Sequence, residues 1–461
     1  MSLQNRRAAR TFAILAPMVG ALCAPQSPIL AAPVDPGVRH AATDGGPPVP
    51  LPGLSPDEQA FFQDGLTRFQ NVEAVSGSVN NGLGPRFNAD QCSACHAYPF
   101  AGGSSPANNP QVAVATANGA NNTVPWFVVP NGPVREARFV TSNGVTDGGV
   151  HALFVITGRS DAGSCALAQP NFLPAGNGLT GQGGNPNIIF RIPTPTMGDG
   201  LIESIPDSTI LANMVANAQA KAAMGVRGQA NHSGNDGTIT RFGWKAQNKS
   251  LLMFSGEAYN VEMGISNQLF PQERDETPNC QGGFPTPNDT LNFSAPSNTA
   301  ALSDVEAFSD FMRLLAPPTP APATPSTQDG LVQFNRVGCS LCHTPSLTTG
   351  TAIASGSSTS PSPALSHQQA NLYSDLLVHH MGSGLSDGIS QGGAGPDQFR
   401  TAPLWGVGER IFFLHDGRTT NIVQAVEDHA SRGSEANNVI ERFNALSGQA
   451  QQDLINFLRS L

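Results

Sequence analysis

Two short runs of this chain place a pair of cysteines and a histidine at a spacing that can hold a haem. Both runs read Cys-x-x-Cys-His, at positions 92–96 and 339–343. Two cysteines three positions apart present their thiols on one face of a helical turn, where they can bond the two vinyl groups of a haem, and the adjacent histidine can bind the iron through Nε2. The residues concerned are Cys92, Cys95 and His96 in the first run and Cys339, Cys342 and His343 in the second. The sequence therefore predicts two covalently bound c-type haems.

A zinc site or a structural disulfide is the alternative interpretation of such cysteines. With 7 Cys and 10 His in 461 residues, a chance match is expected on the order of 0.002 times per chain. Two chance matches are therefore negligible. Cys165 and Cys280 have no adjacent histidine, and we expect them to form a disulfide in an exported protein.

The sixth position on the iron separates a haem that transfers electrons from one that reacts with a small oxidant. Many candidates for that position surround the second run: His367, His379, His380, Met381, His415 and His429. After the first run, by contrast, no His or Met occurs between His96 and His151. We therefore predict that the first haem is open and reacts with hydrogen peroxide or a similar oxidant, and that the second is the relay.

Composition narrows the classes of partner and fold. The chain carries 49 Gly and 38 Pro, which is well above average usage and predicts long loops around modest helical cores. The net charge is −10 and no basic stripe is visible, which argues against nucleic acid as a partner. A chain of 461 residues is long enough for two or three domains.

The first 32 residues have the pattern of an export signal. Arg6, Arg7 and Arg10 precede a short apolar run that is followed by small residues. That run is shorter than the about 20 residues that a membrane span needs, and nothing later resembles one. We expect a soluble protein in the periplasm, where bacteria also attach haem to cysteine pairs. Residues 33–54 are predicted to be an extended lead-in.

The remaining sequence predicts a mainly α fold made of two cytochrome c-like haem domains, with long Gly/Pro-rich loops and a few short strands. Residues 55–300 form the predicted N-terminal domain with insertions, and residues 301–461 the C-terminal domain. Ser55 and Ser303 are expected to cap helices. A further helix, capped by Asp207 or Ser208, is predicted in DSTILANMVANAQAKAAMG. Helices are also expected just before the second cysteine run and at the end of the chain.

A weak internal repeat supports an old duplication. The segments FRIPTPTMGDGLIESIPD (190–207) and FRTAPLWGVGERIFFLHD (399–416) share Phe-Arg, a Pro-x-x-Gly-x-Gly step and a final Asp. In this alignment Glu203 falls in the counterpart of the segment that carries His415. A carboxylate there could move a proton between the two oxygens of a peroxide. A helix-flanking surface acid is the alternative.

The C-terminal segment FFLHDGRTTNIVQAVEDHA resembles bacterial di-haem cytochrome c peroxidases. In that family a His-Asp-Gly turn is followed fourteen residues later by the second axial ligand of the electron-transfer haem. Counted from His415, this position is His429. The resemblance implies a low-potential haem held by His343 and His429, with Met381 as the alternative ligand and His415 near the haem without binding iron.

An ordered set of motifs across residues 55–461 is similar to the di-haem oxidoreductases named as peroxidases or thiol oxidoreductases. The motifs are GLGPRFNADQCSACH, GLIESIPDSTI, RFGWKAQ, MGISNQLFPQE, DLLVHHMG, FRTAPLWGVG and LHDGR. The chain departs from the peroxidases proper, because it lacks their distal histidine shortly after the first run. Their distal glutamine and glutamate have no motif counterpart.

Several single residues are candidates for further roles. His151 could be a removable sixth ligand or a distal acid, or an ordinary buried histidine. Trp244 could carry electrons between the haems, and Arg241 and Lys245 could bind haem propionates; core packing or surface charge is the alternative for each. Met263 is expected to be a packing residue.

The resemblance also implies partners and rival functions. A small electron-donor protein of the cytochrome c or cupredoxin type would reduce the second haem. Calcium is a further possible cofactor that no motif identifies. The rival functions are a non-enzymatic electron carrier with both irons closed and a di-haem oxygenase or maturase of the same superfamily.

Overall fold

The computed structural model describes most of the chain beyond the predicted export signal. The described residues are 32–40, 45–75, 80–117, 123–142, 144–146, 148–155, 160, 162–172, 187–272, 274, 280, 287–354 and 360–461. The predicted signal peptide lies outside them, apart from residue 32. Within these ranges, no helix is both long and apolar enough to cross a membrane.

The described part of the chain is mainly helical. Its helices are α1 Pro56–Phe69, α2 Cys92–Cys95, α3 Gln111–Ala117, α4 Asp199–Glu203, α5 Asp207–Val215, α6 Ala218–Met224, α7 Leu251–Met263, α8 Asn298–Ala301, α9 Asp304–Leu314, α10 Pro325–Val337, α11 Gly382–Leu385, α12 Ile422–Glu427, α13 Asn437–Asn444 and α14 Gly448–Ser460. Short 3₁₀ turns span Cys339–Leu341 and Val407–Glu409. This confirms the prediction of a mainly α fold.

The strands are short and pair antiparallel. They are β1 Arg86–Phe87, β2 Glu136–Phe139, β3 Thr141–Ser142, β4 Val145–Thr146, β5 Val150–His151, β6 Phe154–Val155, β7 Ile188–Arg191, β8 Asn231–His232, β9 Ile239–Thr240, β10 Leu347–Thr348, β11 Gln369–Ala370, β12 Val378–His380 and β13 Gln398–Arg400. Three of them form one sheet in the order β5-β2-β7. The few short strands expected from the sequence are therefore present.

Local capping chemistry sets where the main helices begin. The Ser55 side chain accepts a hydrogen bond from the Glu58 amide, and the Glu58 carboxylate accepts one from the Ser55 amide. Ser303 and Glu306 form the same reciprocal pair at α9. Each pair satisfies two amides that would otherwise lack partners, so both predicted helix starts are confirmed.

The predicted helix after Pro206 is two helices, α5 and α6. The chain breaks between them because Asn217 has a φ of 56°, in the left-handed region. Neither Asp207 nor Ser208 caps α5, since Pro206 holds the cap position. The Asp207 carboxylate instead pairs with Arg241. The predicted single helix and its cap were therefore wrong.

Two pairs of helices cross at glycines, and each pair lies beside one cysteine run. A Cβ on Gly65 of α1 would lie 2.2 Å from the carbonyl oxygen of Ala307 on α9, and one on Gly330 of α10 would lie 2.0 Å from that of Asp453 on α14. Only glycine allows such close backbone contact. A phenylalanine follows each glycine by four residues. The ring centroid of Phe69 lies 6.1 Å from that of His96, and the ring centroid of Phe334 lies 6.4 Å from that of His343.

Helix α9 packs with the first half of the chain. Its Phe311 and Phe308 contact Phe69 of α1, and Phe308 also meets Tyr259 of α7. The predicted boundary at residue 300 separates α9 from these partners. The boundary between the two predicted domains stays a prediction.

The disulfide expected from the sequence is present. Cys165 and Cys280 are joined with their sulfurs 2.15 Å apart. The other described cysteines are unpaired, and all belong to the two Cys-x-x-Cys-His runs. The four motif thiols are therefore available for haem.

Two candidate haem cavities

The first cysteine run opens into a large cavity in the N-terminal half. The cavity encloses roughly 1230 Å³ of space, part of it open to solvent. Its lining includes Cys92, Cys95, His96, Gln111, Glu136, Arg138, Arg191, Trp244, Gln247, Glu257, Tyr259, Glu262, Met263 and several apolar side chains. The space and its wall suit a large planar ligand with an apolar body.

The cysteines and histidine of this run are in the states that haem attachment needs. Burial raises the pKa of Cys92 to about 12 and that of Cys95 further, so both groups are neutral thiols. Structural zinc sites use four ligands, and the described residues contain no group of three or more His, Cys, Asp or Glu side chains placed to hold a metal ion. The zinc alternative therefore has no ligand set among the described residues.

His96 is oriented to offer Nε2 to the cavity. Its Nδ1 lies 3.2 Å from the Gly103 carbonyl oxygen, to which it can donate. Burial lowers the pKa of His96 to about 4, so the ring is neutral. A neutral imidazole whose Nδ1–H is held by a carbonyl carries its lone pair on Nε2, which is the usual state of a metal-binding histidine.

A second cavity surrounds the second cysteine run and holds roughly 1340 Å³, again partly open to solvent. Its lining includes Trp244, Cys339, Cys342, His343, His379, Met381, Phe399, Arg400, Arg410, His415, His429, Glu435 and many apolar side chains. Two of these histidines share the arrangement of His96. The Nδ1 of His343 donates to the Tyr373 carbonyl oxygen over 3.0 Å, and that of His429 to the Ala425 carbonyl oxygen over 2.7 Å. The structure thus brings His343 and His429 together with Nε2 free.

The other candidates around the second run differ in what their side chains already bind. Both ring nitrogens of His379 meet carboxylates, Glu435 at 2.8 Å and Asp375 at 3.0 Å, which leaves no lone pair for iron. His380 is half exposed and pairs with an aspartate, and His367 contacts a threonine hydroxyl. Met381 lines the cavity, as does His415, whose ring stacks on Phe399 at 4.3 Å.

Two buried arginines give the second cavity an anion-binding wall. Nη1 of Arg400 and both Nε and Nη2 of Arg410 are buried without a hydrogen-bond partner. Burial, with Arg400 adding, lowers the pKa of Arg410 to about 10, which still leaves it charged at neutral pH. Unpaired buried guanidinium groups are costly, and the carboxylates of haem propionates would supply their partners. The residues present therefore fit a haem in size, axial ligand, cysteine pair and charge.

Trp244 lies between the two cavities. It is the only described residue that lines both of them. Its indole Nε1 donates to the Ile192 carbonyl oxygen over 2.9 Å, and the Arg410 guanidinium lies 6.0 Å from its ring. The ring is therefore held rigidly in the shared wall, where the sequence predicted an electron carrier.

The two acids predicted for proton transfer do not line the first cavity. The Glu203 carboxylate accepts from Arg313 Nε over 2.6 Å and from the Leu251 amide over 2.7 Å, at the start of α7. His151 lies on β5 with its ring 4.2 Å from that of Phe139. This placement corrects the prediction for both: Glu203 joins helices, and His151 packs in a sheet.

The predicted propionate ligands are also engaged elsewhere. Arg241 is held by Asp207 and by backbone carbonyls. Lys245 is fully buried, pairs with Asp387 over 3.1 Å and donates to three carbonyls. Neither lines either of the two cavities, so the anion-binding role falls to Arg400 and Arg410.

A carboxyl pair in the first cavity was missed from the sequence. Glu262 ends α7 beside the cavity and accepts from Asn88 Nδ2 over 2.7 Å, and a hydrogen bond links it to Glu136 on β2. Burial, with the Glu136 charge adding, raises the pKa of Glu262 to about 8. Burial alone would raise the pKa of Glu136 as well, but Arg138 and Arg191 outweigh it and lower this pKa. One acid is therefore protonated and its neighbour ionised at neutral pH.

Comparison with known proteins gives a family for the second half. The family described as "Di-haem oxidoreductase, putative peroxidase" matches residues 185–461, which include the second cysteine run and His429. Among curated proteins, none matches the chain.

Three solved structures are similar at low levels. Hydrazine synthase of Kuenenia stuttgartiensis is 17% identical with a TM-score of 0.21, and the match covers 36% of this chain and 56% of that one. The diheme peroxidase BthA of Burkholderia thailandensis is 14% identical with a TM-score of 0.29, and the match covers 58% of this chain and 86% of that one. A MauG-like protein associated with microbial copper homeostasis is 16% identical with a TM-score of 0.28, and the match covers 58% of this chain and 90% of that one. The chain thus spans little more than half of the hydrazine synthase chain it matches. With TM-scores this low, the three structures carry no functional argument.

Proposed function

Because the chain belongs to the di-haem oxidoreductase family, we propose that it reduces hydrogen peroxide, or a similar small oxidant, at a haem held in the first cavity. The second haem, held by His343 and His429, relays electrons from a small donor protein of the cytochrome c or cupredoxin type. The proposal rests on a difference between the linings of the two cavities. Two histidines with free Nε2 face the second cavity, whereas His96 is the only histidine in the described lining of the first.

Methionine does not close the first site in this proposal. Met263 and Met312 both line the first cavity. The Met263 sulfur lies 4.0 Å from the Cys92 sulfur, and Met312 packs in the apolar core around the cavity. In this proposal both are wall residues, and neither would bind the iron. An open iron position is what an oxidant needs.

The haem, when bound, supplies the iron that binds and reduces the oxidant. Reducing one peroxide to two waters consumes two electrons and two protons. Glu262 holds a proton at neutral pH on the cavity wall, and Asn88 fixes its orientation. Glu136, held ionised by Arg138, can take up a proton and return it to Glu262. This pair gives the site a general acid and a base in contact.

The wall that the two cavities share would lie on the path of electrons between the haems. Trp244 is the described residue common to both cavities, so its ring would be the protein group between two bound haems. Arg400 and Arg410 would hold the propionates of the second haem on the side of Trp244. His429, whose Nδ1 is held by the Ala425 carbonyl oxygen, would offer Nε2 as the second ligand of that haem and so keep oxidant from its iron.

Covalent attachment and export to the periplasm belong to the same proposal. The four motif cysteines are unpaired, while Cys165 and Cys280 form a disulfide. Disulfides persist in oxidising compartments, and this supports the periplasmic location predicted from the N-terminal sequence.

A titration tests the proposed function. The protein with both haems reduced is mixed anaerobically with increasing hydrogen peroxide while the haem absorbance is recorded. We expect one peroxide to oxidise both haems, and carbon monoxide to bind one reduced haem per chain. A reduced spectrum that peroxide leaves unchanged, together with no carbon monoxide binding, would favour a simple electron carrier instead.

A further inference from the structure

Tyr259 has an unusual position in the wall of the first cavity. Its ring lines the cavity, but its hydroxyl donates a hydrogen bond to Oδ2 of Asp304 over 3.1 Å. The side chain is only 3% exposed and packs edge-on against Phe308 with ring centroids 5.0 Å apart. The ring of Tyr259 therefore borders the cavity, while its phenolic proton is directed at Asp304.

The hydroxyl lies between two carboxyl groups. A hydrogen bond also links it to Glu73, whose pKa is raised to about 8 by burial and by the nearby charges of Asp304 and Asp289. The bond from Tyr259 lowers the pKa of Glu73, which makes the Glu73 carboxyl a second acceptor beside Asp304. The phenolic proton of Tyr259 thus has two carboxyl groups within hydrogen-bond reach.

Asp304 connects this group to solvent. Its carboxylate pairs with Arg68 over 3.0 Å, and its side chain is 32% exposed. Arg68 in turn pairs with Asp64 over 3.0 Å. A proton given to Asp304 can therefore leave or return without crossing the haem cavity.

We propose that Tyr259 is a redox-active tyrosine that gives an electron to the haem of the first cavity while its phenolic proton passes to Asp304. The inference rests on the proposed peroxide chemistry, since hydrogen peroxide is the oxidant. One electron leaves the ring, the O–H bond breaks, and Asp304 gains the proton, so that a neutral phenoxyl radical remains. An electron from the second haem and the proton from Asp304 later restore the phenol.

The hydrogen bond to Asp304 is what makes this step accessible. A phenol with a pKa near 10 keeps its proton at neutral pH, and burial raises the pKa of Tyr259 further. Oxidation without proton loss would leave a buried cation, which is costly in a low-dielectric interior. With a carboxylate at 3.1 Å, the proton leaves as the electron does. Tyr259 can then supply one of the two electrons that a peroxide consumes when the relay is slow.

Another tyrosine of the chain provides a matched contrast. The three tyrosines are Tyr98, Tyr259 and Tyr373. The Tyr373 ring packs near the second run, 6.0 Å from Phe334 and 5.7 Å from Phe457. Among the described residues, no carboxylate accepts a hydrogen bond from its hydroxyl. Tyr373→Phe therefore removes a phenol beside the other haem without removing a proton acceptor.

Freeze-quench EPR tests the inference. The full-length protein with both haems ferric is mixed with hydrogen peroxide and frozen at successive times. We expect a narrow organic radical whose hyperfine pattern collapses when the protein is grown with ring-deuterated tyrosine. The radical yield should fall at least tenfold in Tyr259→Phe and in Asp304→Asn, and should be unchanged in Tyr373→Phe. The deuterium result needs no variant: a radical that ignores tyrosine deuteration refutes the inference even if Tyr259→Phe fails to fold.

The outcomes separate the two proposals. If peroxide consumes the high-spin ferric signal but the radical persists in Tyr259→Phe, or ignores tyrosine deuteration, the redox-active tyrosine is refuted and the peroxide reaction stands. If peroxide leaves every signal unchanged, the proposed function fails and this inference fails with it.

Discussion

Replacing Glu262 by glutamine should remove the proton donor of the first cavity while keeping the hydrogen bonds of the side chain. Glutamine has the same size, and its carbonyl can still accept from Asn88 while its amide donates to Glu136. It has no acidic proton to give. General acid–base groups contribute about 10²–10⁴-fold, so peroxide turnover at neutral pH should fall by that factor.

The same substitution should stabilise the fold at neutral pH, because the pKa of Glu262 is higher in the folded protein than in the unfolded chain. Burial raises the pKa of Glu262 from 4.5 to about 8. The unfolded chain ionises this group above pH 4.5, while the folded protein keeps it protonated until about pH 8. The wild type therefore loses stability between these values, and the loss is complete above pH 8. At 1.36 kcal/mol per pKa unit this is up to about 5 kcal/mol, shared with Glu136. Glu262→Gln should match the wild type near pH 4.5 and exceed it increasingly towards pH 8.

Glu203→Gln is the matched control, because sequence reasoning assigned it the same role. Its carboxylate pairs with Arg313 and accepts from the Leu251 amide, outside the cavity lining. The variant should lose about 1–3 kcal/mol of stability and keep its turnover. Denaturant unfolding at pH 5 and pH 8, with turnover measured on the same preparations, gives both quantities. If Glu262→Gln keeps full turnover, or a folded Glu203→Gln loses it, the assignment of the acid is refuted.

Three further predictions concern the relay and the packing that holds it. His429→Ala should open the second iron, and EPR should show its low-spin signal replaced by a high-spin one while the first haem is unchanged. Trp244→Phe should leave both haem spectra intact but slow electron transfer between them, as measured by stopped-flow after the second haem is reduced. Gly330→Ala should lower the free energy of unfolding by about 1–3 kcal/mol, because the new Cβ would lie 2.0 Å from the Asp453 carbonyl oxygen. Gly234→Ala is the control: a Cβ there has nothing within 4 Å, so the free energy of unfolding should not change.

The features that sequence reasoning predicted correctly depend on near neighbours in the chain. Ser55 and Ser303 cap helices through residues three positions later, and the Cys-x-x-Cys-His runs are continuous. Glu136 and Glu262 come together only when the start of β2 packs beside the end of α7. No local pattern marks either residue, so the pair was not predictable from the sequence alone.

The internal repeat shows how a weak alignment can mislead. Aligning 190–207 with 399–416 placed Glu203 in the counterpart of the segment that carries His415, although Glu203 ends up in a helix contact and His415 in a cavity wall. A better signal is the run Gln-Asp-Gly-Leu-x-x-Phe, which occurs at 63–69 and 328–334. Its glycine lies at a helix crossing and its phenylalanine beside a haem-binding histidine in both halves.

EPR of the fully oxidised protein, with and without hydrogen peroxide, tests the central claim that the two haems are unequal. The account predicts one high-spin and one low-spin ferric haem per chain, with peroxide first removing the high-spin signal. Two low-spin haems that peroxide leaves unchanged would contradict it.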